Sequence, residues 1–264
     1  MLSVFKALTL LTPYDIDKPK VRLGPKADGG YVFVDDISPD QPVMSYGIST
    51  QYEFDRQMAE RGHQVYMFDH TIDGIEQPHE NMHFFKQGIG PRTDPENLLY
   101  SLGDHIAMNG ITSDRIILKM DVEGAEWGAL QEVDDEVLER IEQIIIELHG
   151  LKKLFNRPWR RRFMDVMSKL NRHFTIFHAH SNNVFGRDFV HLVDGMPVAN
   201  WLELSLVKSS TVRRVPSRTV YPTELDHPNN EGPDQLLWFY PFMPIGVGVD
   251  ALNASFELSK TTAA

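Results

Sequence analysis

At 264 residues the chain is long enough for one large domain with embellishments, and 42% apolar residues supply a full core. Its 37 Asp plus Glu outnumber 26 Lys plus Arg, and the formal net charge of −11 argues against a general affinity for nucleic-acid phosphates, while leaving room for a local basic patch. With no cysteine, disulfides, thiolate metal ligands and a thiol nucleophile are excluded, so the 11 histidines become the main nitrogen ligands and bases.

The first residues, Met1 to Pro13, hold an apolar run too short to span a membrane and without a small-residue cleavage pattern, which predicts a cytoplasmic protein with no membrane span. Val21-Arg22-Leu23 and Tyr31-Val32-Phe33-Val34 flank the turn-forming Asp28-Gly29-Gly30, so residues 1–41 read as an extension carrying a hairpin. From 42 to 208, short β-rich runs alternate with longer amphipathic stretches, the pattern of βα units on a parallel sheet. Strands are expected at 43–46, 64–68, 83–85, 116–120, 143–146, 174–177 and 202–207, and helices at 52–61, 95–108, 133–140 and 159–172. The result is an α/β, doubly wound sheet of about seven strands, its last two expected antiparallel. Residues 209–264 are rich in Pro, Asn and Asp and form an irregular C-terminal extension. Its stretch Trp238 to Pro244 is expected to pack back on the domain, and Ser259 to Ala264 to be disordered.

In open α/β sheets, ligands bind beyond the carboxyl ends of the strands. Gly47 after the first core strand allows close approach of a ligand, Ile48 follows it, and Thr50 with Glu53 fits a capping box. Asp69 after the second strand stands where an acid meets ribose hydroxyls in nucleotide-binding folds; a tight turn and a cap explain the same residues structurally. A pyrophosphate dinucleotide is disfavoured because Ser45-Tyr46-Gly47-Ile48-Ser49 lacks the three-glycine fingerprint, which weighs against a nicotinamide oxidoreductase. Ile116 to Met120 then runs into Asp121, Glu123 and Glu126, with Gly124 at the turn. Glu147 and His149 lie beyond the next strand on one face, and His178 and His180 beyond the one after.

Asp69, the run Leu118-Lys119-Met120-Asp121-Val122-Glu123-Gly124-Ala125-Glu126-Trp127 and Ile146-Glu147-Leu148-His149 together resemble the FkbM-type S-adenosylmethionine-dependent methyltransferases. Asp28-Gly29-Gly30-Tyr31, Tyr46-Gly47-Ile48 and Asn182-Asn183 fit a branch that includes sugar O-methyltransferases. The resemblance covers about residues 20 to 210. It implies a class I methyltransferase (Rossmann-like) fold, Gly47 beside the methionine part of the cofactor, Asp69 on its ribose, and Gly29 and Gly30 closing over it. Where many methyltransferases place an acid and two glycines in the first loop, this chain has Ser49-Thr50-Gln51.

Methyl transfer to a sugar hydroxyl needs a base, or a metal that lowers the hydroxyl's pKa. Asp121, Glu147, His149 and His178 are the candidates for catalysis, and Asp121, Glu147 and His178 for holding Mg²⁺ or Mn²⁺. Asn182 and Asn183 offer hydrogen bonds to sugar hydroxyls, though Ser-Asn-Asn is also an ordinary turn. Arg157-Pro158-Trp159-Arg160-Arg161-Arg162 reads as a clamp for a phosphate or nucleotide-sugar substrate, or as a solvated helix start. The expectation is therefore an S-adenosylmethionine-dependent O-methyltransferase acting on a carbohydrate or nucleotide sugar, with a catalytically silent glycan- or protein-binding domain as the alternative, and with oligomerisation open.

Overall fold

The computed structural model describes residues 3–183 and 190–244, so the expected tail at Ser259 to Ala264 lies outside the described residues. In chain order the strands are β1 Tyr14–Ile16, β2 Lys20–Leu23, β3 Tyr31–Val34, β4 Val43–Tyr46, β5 Val65–Phe68, β6 Met82–Phe85, β7 Gly88–Ile89, β8 Leu99–Tyr100, β9 Ile116–Met120, β10 Ile141–His149, β11 Phe174–Ser181, β12 Val190–Val193, β13 Met196–Ala199, β14 Trp201–Lys208 and β15 Arg214–Pro216. The α-helices are α1 Val4–Leu8, α2 Glu53–Glu60, α3 Leu102–Met108, α4 Glu126–Glu132, α5 Asp135–Glu139 and α6 Arg157–His173.

Seven strands form the central sheet in the order β11-β14-β10-β9-β4-β5-β6. Numbered by their order within that sheet they read 6-7-5-4-1-2-3, the strand order of the class I methyltransferase fold. Only β14 runs antiparallel, pairing antiparallel with both β10 and β11, whereas β4, β5, β6, β9 and β10 pair in parallel. The expectation of two antiparallel strands is corrected accordingly. Helix α6 carries the chain back from β10 to β11 as a parallel crossover, and β14 then inserts between them from the opposite direction.

The strands are buried on both faces, and alternation sorts their side chains between two layers. Met44, Ile116, Leu118, Ile144 and Ile146 enter the larger core with α1, α3, α4 and α6. Val43, Ile117 and Ile145 face the other way, toward Leu23 and Tyr31 of the β2–β3 hairpin and Phe54 of α2. Lys119, Asp121, Glu147 and His149 share this second face by parity. In β11 a register shift between Ile176 and His178 adds a residue, a β-bulge, which brings His178 and His180 to the hairpin side along with Glu203 of β14.

Two expected helices divide. The 95–108 stretch begins as a 3-10 turn, Pro95–Asn97, that stops where Leu98 takes the left-handed conformation (φ 57°); α3 starts only after Ser101, whose Oγ accepts from Asp104 N at 3.1 Å. Instead of one helix over 133–140, α4 ends before Val133, which is extended (ψ 134°), and α5 starts afresh at Asp135. The C-terminal extension returns over the core: Tyr221, Leu237 and Phe242 are buried in it, and β15 pairs with β1. Among the described residues no helix is long and apolar enough to cross a membrane.

Candidate active site

In parallel register, Tyr46 pairs with both Phe68 and Met120. The next residues, Gly47, Asp69 and Asp121, therefore emerge side by side where three strands end. Gly47 has φ 77°, and a Cβ there would sit 1.6 Å from the Asp121 carbonyl oxygen, so only glycine fits. Beyond these ends lies a cleft of ≈ 430 Å³. Ile48, Phe68, Ile89 and Val122 give it apolar walls, while Asp28, Asp69, His70 and Asp121 supply polar edges. The hairpin lends it Asp28, Gly29 and Tyr31; Gly30 does not line it, and a Cβ there would meet the Pro25 carbonyl at 2.1 Å, so that glycine shapes the turn.

Asp69 laces the first loop. Its Oδ2 accepts from Ile48 N at 2.9 Å and Ser49 N at 3.0 Å, and its Oδ1 accepts from Thr71 N at 2.8 Å and Thr71 Oγ1 at 2.6 Å. Burial pushes this carboxyl up, but those hydrogen bonds outweigh it and hold the group below the usual carboxylate range. The expected Thr50–Glu53 capping box does not form. Ser49 takes φ 49°, α2 starts only at Glu53, and its N-cap Tyr52 makes no side-chain hydrogen bond. The amides of Ile48 and Ser49, not a helix terminus, meet a carboxylate here.

The acid-rich run after β9 ties strand ends together. Buried Lys119 donates to the carbonyls of Tyr46 and Gly47, and holds the end of β4 against β9. Glu123 and Gly124 both have positive φ, 53° and 106°, which reverses the chain into α4. Fully buried Glu126 accepts from Gly124 N at 2.7 Å and from His149 N at 2.8 Å, and Trp127 Nε1 donates to the His149 carbonyl at 2.9 Å. Both backbone groups of His149 are thereby fixed from the neighbouring element, which aims its ring.

The His149 ring sits among acids. Its Nε2 lies 3.3 Å from Glu123, 3.6 Å from Glu147 and 3.7 Å from Asp121, and its Nδ1 lies 3.5 Å from Glu126. Burial lowers its pKa, but Glu126, Asp121 and Glu123 outweigh that and raise it overall. Glu147 is pushed well above the usual carboxylate range by burial and by the charges of Asp121 and Glu203. Asn182 Nδ2 donates to Glu147 Oε1 at 2.9 Å. Asp121, Glu123 and His149 each offer a ligand atom within 4.8 Å of the others, a donor set that suits a hard divalent cation.

His178 is elsewhere. Its Nε2 meets Asp226 at 2.8 Å, both groups being buried, so the structure does not bring it into the Asp121–Glu147–His149 group. Asn183 binds the carbonyl of Asn230 at 3.0 Å, in the C-terminal extension. His180 bridges Glu203 at 3.0 Å and Asp234 at 2.9 Å, and Asn229 donates to Glu203 at 2.7 Å and to Asp28 at 3.0 Å. Lys119 and Tyr31, present in the sequence motifs without an individual role, line the cleft, while Glu203, Asn229 and Asp234, which the sequence did not single out as site residues, link to its edge through Asp28 and His180. Glu203 left one signal: an acid on the alternation of a strand otherwise rich in leucine.

The model of the Methyltransferase FkbM domain matches residues 38–182. The chain belongs to this family. It is also similar to the crystal structure of the 23S rRNA methyltransferase ErmE, with 13% identity and a TM-score of 0.37 over 66% of this chain and 64% of that one, so it spans less than two thirds of that enzyme's length. No curated protein sequence matches it. The FkbM segment contains β4 to β11, and with them Gly47, Asp69, Asp121, Glu147 and His149; the β2–β3 hairpin and the extension that carries Asp226, Asn229 and Asp234 lie outside it.

Proposed function

We propose that this FkbM-family methyltransferase uses S-adenosylmethionine to methylate a carbohydrate hydroxyl. The observation that carries the reading is the contact of Asp121, which lines the cleft, with the buried His149 ring and Glu147 behind it, beside strand ends that leave room for a nucleoside. The cleft fits the cofactor. It has apolar walls for a purine, a backbone approach at Gly47 that no side chain obstructs, and acids at its edge for hydroxyls and an amino group. Gly29, Gly47, Ile48, Asp69 and Asp121 would hold the cofactor, with Asp69 offering Oδ1 to the ribose in place of Thr71. S-adenosylmethionine supplies a methyl group already activated by a positive sulfur.

The protein's task is then to orient the acceptor oxygen and take its proton. Asp121 is the acceptor for that proton, with the His149 ring, 3.7 Å from Asp121 and 3.6 Å from Glu147, orienting it. Asn182 donates to Glu147 and fixes that carboxyl behind Asp121. We extend the reading to a divalent cation, Mg²⁺ or Mn²⁺, held by Asp121, Glu123 and His149, with the Glu126 carboxylate fixing the imidazole from its other side.

The test is methyl transfer from labelled S-adenosylmethionine to a panel of oligosaccharides and sugar nucleotides, read by mass shift. Asp121→Asn should lose at least 100-fold in turnover, and chelation should suppress turnover while cofactor binding persists. Full activity in metal-free enzyme would remove the cation. Unchanged activity in Asp121→Asn would remove the acid–base assignment.

A further inference from the structure

One feature of the chain lies outside the methyl-transfer chemistry. Between Leu151 and Met164 stand Lys152, Lys153, Arg157, Arg160, Arg161 and Arg162, with no acid among them, in a chain of net charge −11. The structure divides this cluster. Arg160 is buried, donates to the Leu154 carbonyl at 2.6 Å and lies 3.8 Å from Asp194, so it braces the turn before α6 and cannot serve the phosphate clamp the sequence suggested for it. Lys152, Lys153, Arg157, Arg161 and Arg162 are exposed, and none makes an ion pair among the described residues. A basic first turn opposes the helix dipole, and five cations without partners raise the local potential further.

These cations border a groove. A cavity of ≈ 340 Å³ is lined by Lys153, Phe155, Asn156, Pro158, Trp159 and Arg162. Phe155 is 67% exposed, one of few large apolar side chains left open. Trp159 forms the inner wall and packs edge-on against Trp127 at 5.2 Å, the same indole that holds the His149 carbonyl. Lys153 folds back to within 3.4 Å of where a Cβ on Gly150 would be, and Gly150 directly follows His149. The groove thus opens on the carboxyl-end side of the sheet, over the α4–α6 layer, and connects to the candidate catalytic group through Trp127, whose indole lies between Trp159 and the His149 carbonyl.

Resting on the proposed glycan methylation, we propose that this groove is a second acceptor subsite for an anionic sugar unit, its ring stacked on Phe155 and Trp159 and its phosphate or carboxylate held between Lys153 and Arg162. The aromatic surfaces supply an apolar face for a pyranose ring. Lysine and arginine provide the point charge and the planar fork that bind phosphate and carboxylate. The small concave volume favours one ring over an extended lipid surface.

The test titrates uridine diphosphate glucose, glucuronate and neutral maltotriose into the full-length protein by calorimetry, with S-adenosylmethionine titrated into the same samples. At least one anionic probe should bind, and which one does identifies the phosphate or the carboxylate. The double variant Lys153→Ala/Arg162→Ala should weaken that probe at least tenfold and Phe155→Ala at least threefold, while S-adenosylmethionine affinity stays unchanged. All three side chains are exposed, so the variants fold. Equal affinity in wild type and variants, or maltotriose binding as tightly as the anionic probes, would each overturn the subsite. Cofactor binding with no probe binding would sink the subsite alone, whereas loss of cofactor binding in wild type would strike at the methyltransferase reading itself.

Discussion

Single residues in this protein act largely by holding strand ends in place. Gly47→Ala would push a methyl group into the Asp121 carbonyl and force a left-handed conformation on alanine, a strain of about 1–3 kcal/mol before any clash is relieved. It should lower the unfolding midpoint in thermal denaturation and abolish cofactor binding together. Trp127→Phe keeps an aromatic surface but leaves the buried His149 carbonyl without its donor. That should cost about 1–3 kcal/mol in denaturant unfolding and lower turnover with little change in cofactor affinity, because the ring it aims serves the acceptor side. Equal loss of cofactor affinity would show that the indole supports the whole cleft. The run from Lys119 to Trp127 announced itself in the sequence as carboxylates after a strand. That its lysine, buried acid and tryptophan spend themselves on the carbonyls and amides of β4 and β10 was hidden, because those partners are 22 to 73 residues away.

At the scale of elements, the C-terminal extension is clasped to the sheet by buried histidine–carboxylate pairs. His178 meets Asp226, and His180 meets Asp234 and Glu203. Burial lowers the pKa of His180, but Asp234 and Glu203 outweigh it and raise it well above the free value, so its contribution is complete below the unfolded value of about 6.5 and is lost as pH rises through the folded one. Burial raises Asp226, but His178 and His180 hold it well below the usual range, so its contribution is complete above about 3.9 and is lost as pH falls through the folded value. The clasp should therefore be firmest near pH 4 to 6.5. Hydrogen-exchange protection of residues 217–237, taken relative to the intrinsic exchange rate at each pH, should be greatest in that window, and His180→Ala, which leaves buried carboxylates unpaired, should destabilise by about 3–5 kcal/mol. A flat pH profile of protection would show that apolar packing of Tyr221 and Leu237 alone holds the segment. The strands were legible because apolar β-rich runs punctuated by glycine and acid mark them. The clasp was not: a histidine on a strand says nothing of which distant loop supplies its acid, and the bulge at Ile176/His178 that turns both rings to the hairpin side leaves no mark in composition.

Across the whole molecule, two layers make the site. The parallel strands deliver Gly47, Asp69 and Asp121 in register, and the β2–β3 hairpin closes over them with Asp28, Gly29 and Tyr31. Gln143 joins the layers, its side chain accepting from Val34 N at 2.9 Å and donating to Val34 O at 3.1 Å in place of a strand partner. Gln143→Leu should orphan both groups, cost about 2–4 kcal/mol and loosen cofactor binding through the hairpin, measured by denaturant unfolding alongside ligand titration. The overall architecture was readable from the alternation of strands and helices, while the partnership of hairpin, sheet and C-terminal extension depends on contacts across most of the chain. Whether this FkbM-family fold binds S-adenosylmethionine beyond the ends of β4, β5 and β9 is read from calorimetric titration of that cofactor into wild type and Asp69→Ala. Saturable binding is expected in wild type and at least tenfold weaker binding in the variant, through the loss of charge-assisted hydrogen bonds worth about 1.5–3 kcal/mol each. No binding to wild type, or equal affinity in the two proteins, would contradict that placement of the cofactor.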